Sequence, residues 1–421
     1  MNPISKLKRK PWYHWVIAAA SFLMVMICLG FCSSTKSLYL DAITNALGIK
    51  RSLFSFNDSA RFVTTAVLNL FFGTLVLKFG PRKLIAGGFA ALCCSMLVYS
   101  LADSIYVFYI GGVLLGIGMS WTTTTMVGYV INHWCKQHKG TIMGAVMAAN
   151  GFGGAIAAQV VSPFINSSAY GYRSAYQITA VILLIVGIVV VSLFKDTPEG
   201  VELSAHGKKK AKGEGWSGIT LKECLGKPWF YAAIVCVFFT GLVLQGSTGI
   251  YPAHMKDVGI DPVYVATVVS VHSLALTLFK FLTGFAYDRF GLRVTMLICD
   301  LAGMVMIFLL ATITATATGT AMVIGVISSL ALPLETIMLP LITADLVGNK
   351  DFAKIMGIIT SVNVAGYAVG APLVNLFYDI QGTYKNILFV LLGVMVVITV
   401  VFQLALSSAH KVRKQVEMAE Q

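Results

Sequence analysis

Apolar residues in this chain neither alternate with polar ones nor keep to a single helical stripe; they run on for about twenty positions at a time. A run of that length crosses about 30 Å of hydrocarbon as an α-helix, and its continuity argues against a membrane β-barrel. The pattern predicts twelve spans, at about 15–38, 54–77, 84–102, 105–131, 140–165, 174–194, 228–253, 263–287, 294–315, 319–345, 353–378 and 385–408. The first is read as a span and not as a signal peptide, because its apolar run is long and no small-residue cleavage site follows. Only one long polar stretch interrupts the pattern, over 195–227 around "GKKKAKGEG". Six spans precede it and six follow, which divides the chain into 1–194, a linker at 195–227, and 228–421.

The two halves carry matching signatures. "GTLVLKFGPRK" follows the second span and "GFAYDRFGLR" the eighth, so Gly73, Lys78, Gly80 and Arg82 correspond to Gly284, Arg289, Gly291 and Arg293 at an offset of 211. The fifth and eleventh spans open with "IMGAVMAANGFG" and "IMGIITSVNVAG", placing Asn150 opposite Asn363 at an offset of 213. Two separate motifs with nearly one shift identify an internal repeat, six helices and six more. The glycines permit close helix packing, and the basic clusters anchor at headgroups.

Composition agrees with the span count: 57% of residues are hydrophobic and 12% are charged, half the charged share of a soluble domain. The net charge of +13 raises the question of nucleic acid. Placement answers it. With both termini in the cytoplasm, 23 of the 31 basic residues fall in cytoplasmic segments and 5 in external loops, the bias expected of chains facing an anionic inner leaflet. The bilayer is thus the partner that the charge implies. No GxxxxGK[ST] loop occurs, the eight cysteines lack zinc-ligand spacing, and no nucleophile–base pairing stands out, so neither cofactor, metal nor catalytic residue is expected.

Three basic residues remain inside spans: Lys36, Arg61 and Lys280. A cation at the centre of a span costs roughly 2.5–3.5 kcal/mol on insertion scales and is paired or functional. Lys36 lies among Ser33, Ser34, Thr35 and Ser37, which favours a wetted, anion-binding position over snorkelling to the headgroups. Arg61 either pairs with Asp58 one turn away or forms an electropositive wall. Lys280, nine residues before Arg289, sits about 13 Å from the cytoplasmic end, too deep to snorkel easily. Leu276 and Gly284, one turn either side, offer it no countercharge, so it awaits a substrate anion or a carboxylate from another helix. Glu335, between Pro333 and Pro340 where the tenth span is expected to break, either pairs with Lys280 or carries a proton. Asp58 and His272 are further proton-coupling candidates.

The glycine–basic motif, "GFAYDRFGLR" with its partner "GTLVLKFGPRK", resembles that of the major facilitator superfamily across essentially the whole chain. The resemblance implies two pseudo-symmetric six-helix bundles rocking about a midplane site, and gives Gly73, Gly80, Arg82, Gly284, Asp288, Arg289, Gly291 and Arg293 a gating role. Leu77 stands where the first-half motif usually has an aspartate, which weakens that gate. "TKSLYL" resembles the first helix of monocarboxylate transporters, whose lysine maps to Lys36; "GITLKECLGKPWFYAAIVCVFF" resembles the oxalate/formate antiporter branch. In both groups a basic residue four positions before the motif glycine holds the substrate carboxylate, and here that position is Lys280. The aspartate that usually precedes it by one turn is replaced by Leu276, and the antiporters' second cation in span eleven by a neutral Asn363.

The sequence thus leads to an all-α, twelve-span secondary transporter of a small organic anion, most simply a monocarboxylate. Lys280 would anchor the anion, with Lys36, Arg61, Asn150 and Asn363 as further contacts, and transport would be coupled to protons or to a counter-anion. A monomeric unit in a bacterial plasma membrane is expected. An exporter of amphipathic or aromatic compounds is the alternative, and a non-transporting anion sensor a third.

Overall fold

The computed structural model describes residues 13–420 apart from 50, 136, 166, 169–170, 196–218 and 349. The basic residues before Tyr13 and most of the polar linker therefore lie outside the described residues.

Helix dominates. The first half comprises α1 (Tyr13–Leu29), a π-helical turn (Gly30–Ser34), α2 (Lys36–Leu47), α3 (Arg51–Phe79), α4 (Pro81–Ser100), α5 (Ile105–Thr122), α6 (Thr124–Trp134), α7 (Lys139–Ile165) and α8 (Gly171–Leu193). A short α9 (Leu221–Leu225) closes the linker, and α10 (Pro228–Asp257), α11 (Pro262–Thr312), α12 (Thr318–Ala331), α13 (Pro333–Thr336), α14 (Met338–Val347), α15 (Phe352–Gln381) and α16 (Lys385–Glu420) follow. Prolines open α4, α10 and α11, where a missing N–H costs nothing. Eleven of the described helical stretches are long and apolar enough to cross a membrane, and the longest, Thr267–Thr312, holds two spans. Phe71, Ile110, Ile188 and Leu404 stay more than half exposed or close to it, as side chains facing lipid do.

Two spans depart from the uniform helices that the apolar runs predict. The first is not one helix over 15–38: it loosens into the π-turn, breaks at Thr35 and continues as α2 to Leu47. Hydroxyls drive this, since Thr35 Oγ1 donates to the Phe31 carbonyl at 2.7 Å and Ser34 Oγ to that of Leu29 at 3.3 Å. The fourth span is divided at Thr123, where Thr122 and Thr123 bond the carbonyls of Gly118 and Met119. These threonines serve their own helix instead of offering donors to a ligand. The tenth span breaks into α12, α13 and α14 between Pro333 and Pro340, as the prolines led one to expect.

The repeat is visible in the backbone. Gly80, between α3 and α4, has φ 80° and ψ 154°; Gly291, inside α11, has φ 79° and ψ 175°. That region is open essentially to glycine alone. The same residue therefore makes the same turn in each half, and the end of the molecule carrying both turns is called here the motif end. Pseudo-symmetry also relates the two main packings between halves, α7 against α11 and α15 against α3.

At the motif end α9 is fixed to the second half. Ile219 N–H donates to the Val347 carbonyl at 2.9 Å and Leu221 N–H to Asp351 Oδ2 at 3.0 Å. A capping box between Thr220 and Glu223 starts the helix, and its backbone hydrogen bond holds the Glu223 carboxyl below its usual range.

Replacing either turn glycine, Gly80→Ala or Gly291→Ala, is expected to destabilise the fold by about 1–3 kcal/mol through backbone strain. Thermal unfolding of purified protein in detergent checks this; no change in either variant would mean that the turns relax freely.

Candidate functional site

At the motif end the halves are joined by one carboxylate. Asp288, on α11, accepts the Gly140 N–H at 2.9 Å and the Thr141 N–H at 2.7 Å, the first-turn donors of α7. A carboxylate on a helix N-terminus meets both unsatisfied donors and the positive end of the dipole. Gly284 packs one turn away against Gly140, and Gly144 lies against the carbonyls of Lys280 and Phe281. The symmetry-related seam differs. Leu77 has no carboxylate to give, and α3 meets α15 through Gly73 on the Lys354 backbone, Gly357 on the Asn69 carbonyl, and a 2.5 Å hydrogen bond from Ser361 Oγ to the Ala66 carbonyl. Of the motif cations, Arg82 Nε bonds the Val191 carbonyl at 3.0 Å, while the backbone carbonyl of Arg293 receives Gln403 Nε2 at 3.2 Å. Arg289 lies 5.9 Å from the centroid of the Phe290 ring. The Arg82 and Arg293 contacts join neighbouring helices within their own halves.

Lys280 sits one turn beyond the Gly284–Gly140 contact, away from the motif end. It is 4% exposed and makes no hydrogen bond or ion pair with any described residue. Towards the opposite end, α7 and α11 still meet at Gly151 and Thr277, and α3 meets α15 where Phe62 lies edge-on to Tyr367. The packing of α2 and of α10 lies chiefly within their own halves.

Lys36 and Arg61 come together on Asp58. The Lys36 ammonium pairs with Asp58 Oδ2, and Arg61 Nε lies 3.4 Å from Asp58 Oδ1. Arg61 also reaches Ser33 Oγ at 3.4 Å, so the cluster bridges the π-turn and α3. Arg61 thus makes the ion pair with Asp58, and the cluster lines a cavity of about 20 Å³. Asn57 bonds Tyr99 beside it at 2.9 Å, and Tyr39 stacks on Tyr176 with centroids 4.2 Å apart.

The second half holds its polar groups differently. Glu335, 4% exposed, accepts from Gln245 Nε2 at 3.1 Å, and its other oxygen is buried with no partner among the described residues. Tyr367 donates to the Glu335 backbone carbonyl at 3.2 Å. The Lys280–Glu335 pair weighed from sequence is absent among the described residues, and Gln245 takes its place. Asn363 is fully buried and donates to the Val237 carbonyl at 3.1 Å, tying α15 to α10, while its Oδ1 has no partner among the described residues. Asn150, by contrast, is half-buried and accepts from Ser34 Oγ at 2.9 Å at the π-turn. The His272 ring nitrogen bonds the Gly325 carbonyl and Ser328 Oγ, a link from α11 to α12. Gln245 went unnoticed in the sequence, although a glutamine within the apolar run "GLVLQG" was a signal.

Both the sequence and the fold are shared with known proteins. The Major Facilitator Superfamily profile matches residues 21–247 and again 233–421, and the chain belongs to that family. It is similar to the uncharacterised MFS-type transporter YcxA of Bacillus subtilis, 25% identical over 302 residues and 69% of each chain. The sialic acid transporter NanX of Escherichia coli is 21% identical over 69% of this chain and 67% of its own. Monocarboxylate transporter 13 of Rattus norvegicus is 25% identical over 74% and 70%. The fold matches the transporter FucP in the outward conformation with a TM-score of 0.70 at 13% identity, covering 94% of this chain and 99% of that one.

Removing the joining carboxylate should loosen the motif end. Hydrogen bonds to a charged group contribute about 1.5–3 kcal/mol each, so Asp288→Ala is expected to shift the closed state towards open by at least about tenfold. Distances between spin labels on α7 and α11 at the motif end report it; an unchanged distance distribution would mean that the glycine packing alone holds the two halves together there.

Proposed function

We propose that the protein is a secondary active transporter of a small organic anion, a monocarboxylate in the first instance. Membership of the superfamily makes it a transporter; the cargo rests on one observation. Lys280 is a buried cation with no protein partner among the described residues, one turn beyond the contact that closes the motif end. A buried charge is tolerated when something neutralises it, and a carboxylate supplies a matched, charge-assisted hydrogen bond. The names of two relatives point the same way, since sialic acid and monocarboxylates are both organic acids.

Taking the motif end as cytoplasmic, as the distribution of basic residues implies, the conformation is closed to the cytoplasm. An anion would enter from outside past Lys36 and Arg61, settle at Lys280, and be released inward when the Asp288 contact parts. Asn150, bonded at the π-turn, is positioned to offer its amide on that path. Glu335 keeps one oxygen unengaged and can hold a proton. Transport would proceed with a proton or by exchange for a second anion, with a single chain in a bacterial plasma membrane as the working unit.

The test is uptake of labelled formate, lactate, pyruvate and benzoate into liposomes containing purified protein, with and without an inward proton gradient or internal counter-anion. Saturable uptake of at least one acid is expected. Lys280→Gln should raise KM by about 30-fold or more, the usual consequence of removing one member of a buried charge pair. Wild-type protein that is folded yet moves no carboxylate under any gradient would contradict the reading and leave the exporter of amphipathic compounds in its place.

A further inference from the structure

We propose that Asp58 is a resident counter-anion, which the incoming carboxylate must displace from Lys36 and Arg61. The inference rests on the anion-transport reading and adds how the outer site is emptied and filled. Asp58 gives one oxygen to each cation, Oδ2 to Lys36 and Oδ1 to Arg61. That is the arrangement a substrate carboxylate would adopt on the same two groups. Space forces a choice between them, because the adjoining cavity of about 20 Å³ holds about one water and no carboxylate. Access is available: the side chains of Lys36 and Asp58 are 30% and 31% exposed, so the pair is not sealed into the core.

Among the described residues lining the cavity, no other group can take the role of Asp58. Cys32 and Tyr39 face it from the first span, Tyr99 from α4 and Tyr176 from α8, and Arg61 lies on its own helix. Asp58 is the sole carboxyl group among the described residues lining the cavity. With two cations and one anion the cluster carries a net single positive charge. An arriving carboxylate restores that value only if Asp58 leaves or takes up a proton. Asp58 and the incoming anion therefore compete for the same two cations, and removing the Asp58 charge tightens anion binding.

Equilibrium binding of labelled lactate, pyruvate and benzoate to purified full-length protein tests the displacement. Asp58→Asn, which removes the competing charge, should bind about tenfold more tightly than wild type, within the usual range of site–site coupling, whereas Asp58→Glu, which keeps the charge, should bind as wild type does. A second measurement needs no variant. Carboxylate ligand should speed carbodiimide modification of Asp58 in wild type, followed by mass spectrometry, because displacement exposes the acid. Weaker or unchanged binding by Asp58→Asn, or protection of Asp58 by ligand, would overturn the proposal while leaving anion transport standing. Binding by neither wild type nor Asp58→Asn would reject both.

Discussion

An ionised side chain between membrane helices is tolerated only where a countercharge, an aligned dipole or a ligand receives it. The charges at depth in this protein meet that demand in different ways. Lys36 and Arg61 share one carboxylate, Asp58, and Asp288 finds the N-terminus of α7. Lys280 finds nothing among the described residues, and Glu335 finds only the amide of Gln245. The satisfied groups hold the closed motif end and the cluster beside the π-turn. The unsatisfied ones mark where a ligand and a proton are to be sought.

The repeat sharpens this contrast. At the offset of 211, Lys280 corresponds to Asn69, Arg61 to His272 and Asp288 to Leu77. Asn69 is buried and receives Ser120 Oγ at 2.8 Å, and His272 links α11 to α12. Each position thus has a charged and a neutral version, and the neutral versions that are polar make ordinary helix-to-helix hydrogen bonds. Backbone geometry is kept in both halves, as Gly80 and Gly291 show, while the electrostatics have been divided between them. One half holds two cations that share a single carboxylate; the other holds a cation with no partner among the described residues and the carboxylate that joins the halves.

Much of the fold was legible because its causes are local. Span length follows from hydrocarbon thickness, the repeat from glycines whose conformations little else adopts, and the break in the tenth span from two prolines. The π-turn was not legible. Its serines and threonine were visible, but whether hydroxyls bond their own helix or a ligand depends on the neighbour at Asn150. Site residues were read with the same unevenness. The i, i+3 spacing of Asp58 and Arg61 announced their contact, whereas Lys36 meets Asp58 across a gap of 22 residues that no periodicity encodes. Asn363 looked like the twin of Asn150, yet a carbonyl on α10 claims it. Repeats preserve a position more faithfully than the chemistry that fills it.

The most direct measurement is a cryo-EM structure of the full-length protein with a transported carboxylate bound. Density for the carboxylate within hydrogen-bonding distance of Lys280 Nζ is the expected result, with the Gly284–Gly140 contact closed beneath it. A ligand held elsewhere, with Lys280 paired instead to Glu335 or another protein acid, would contradict the assignment of Lys280 as the anion's anchor.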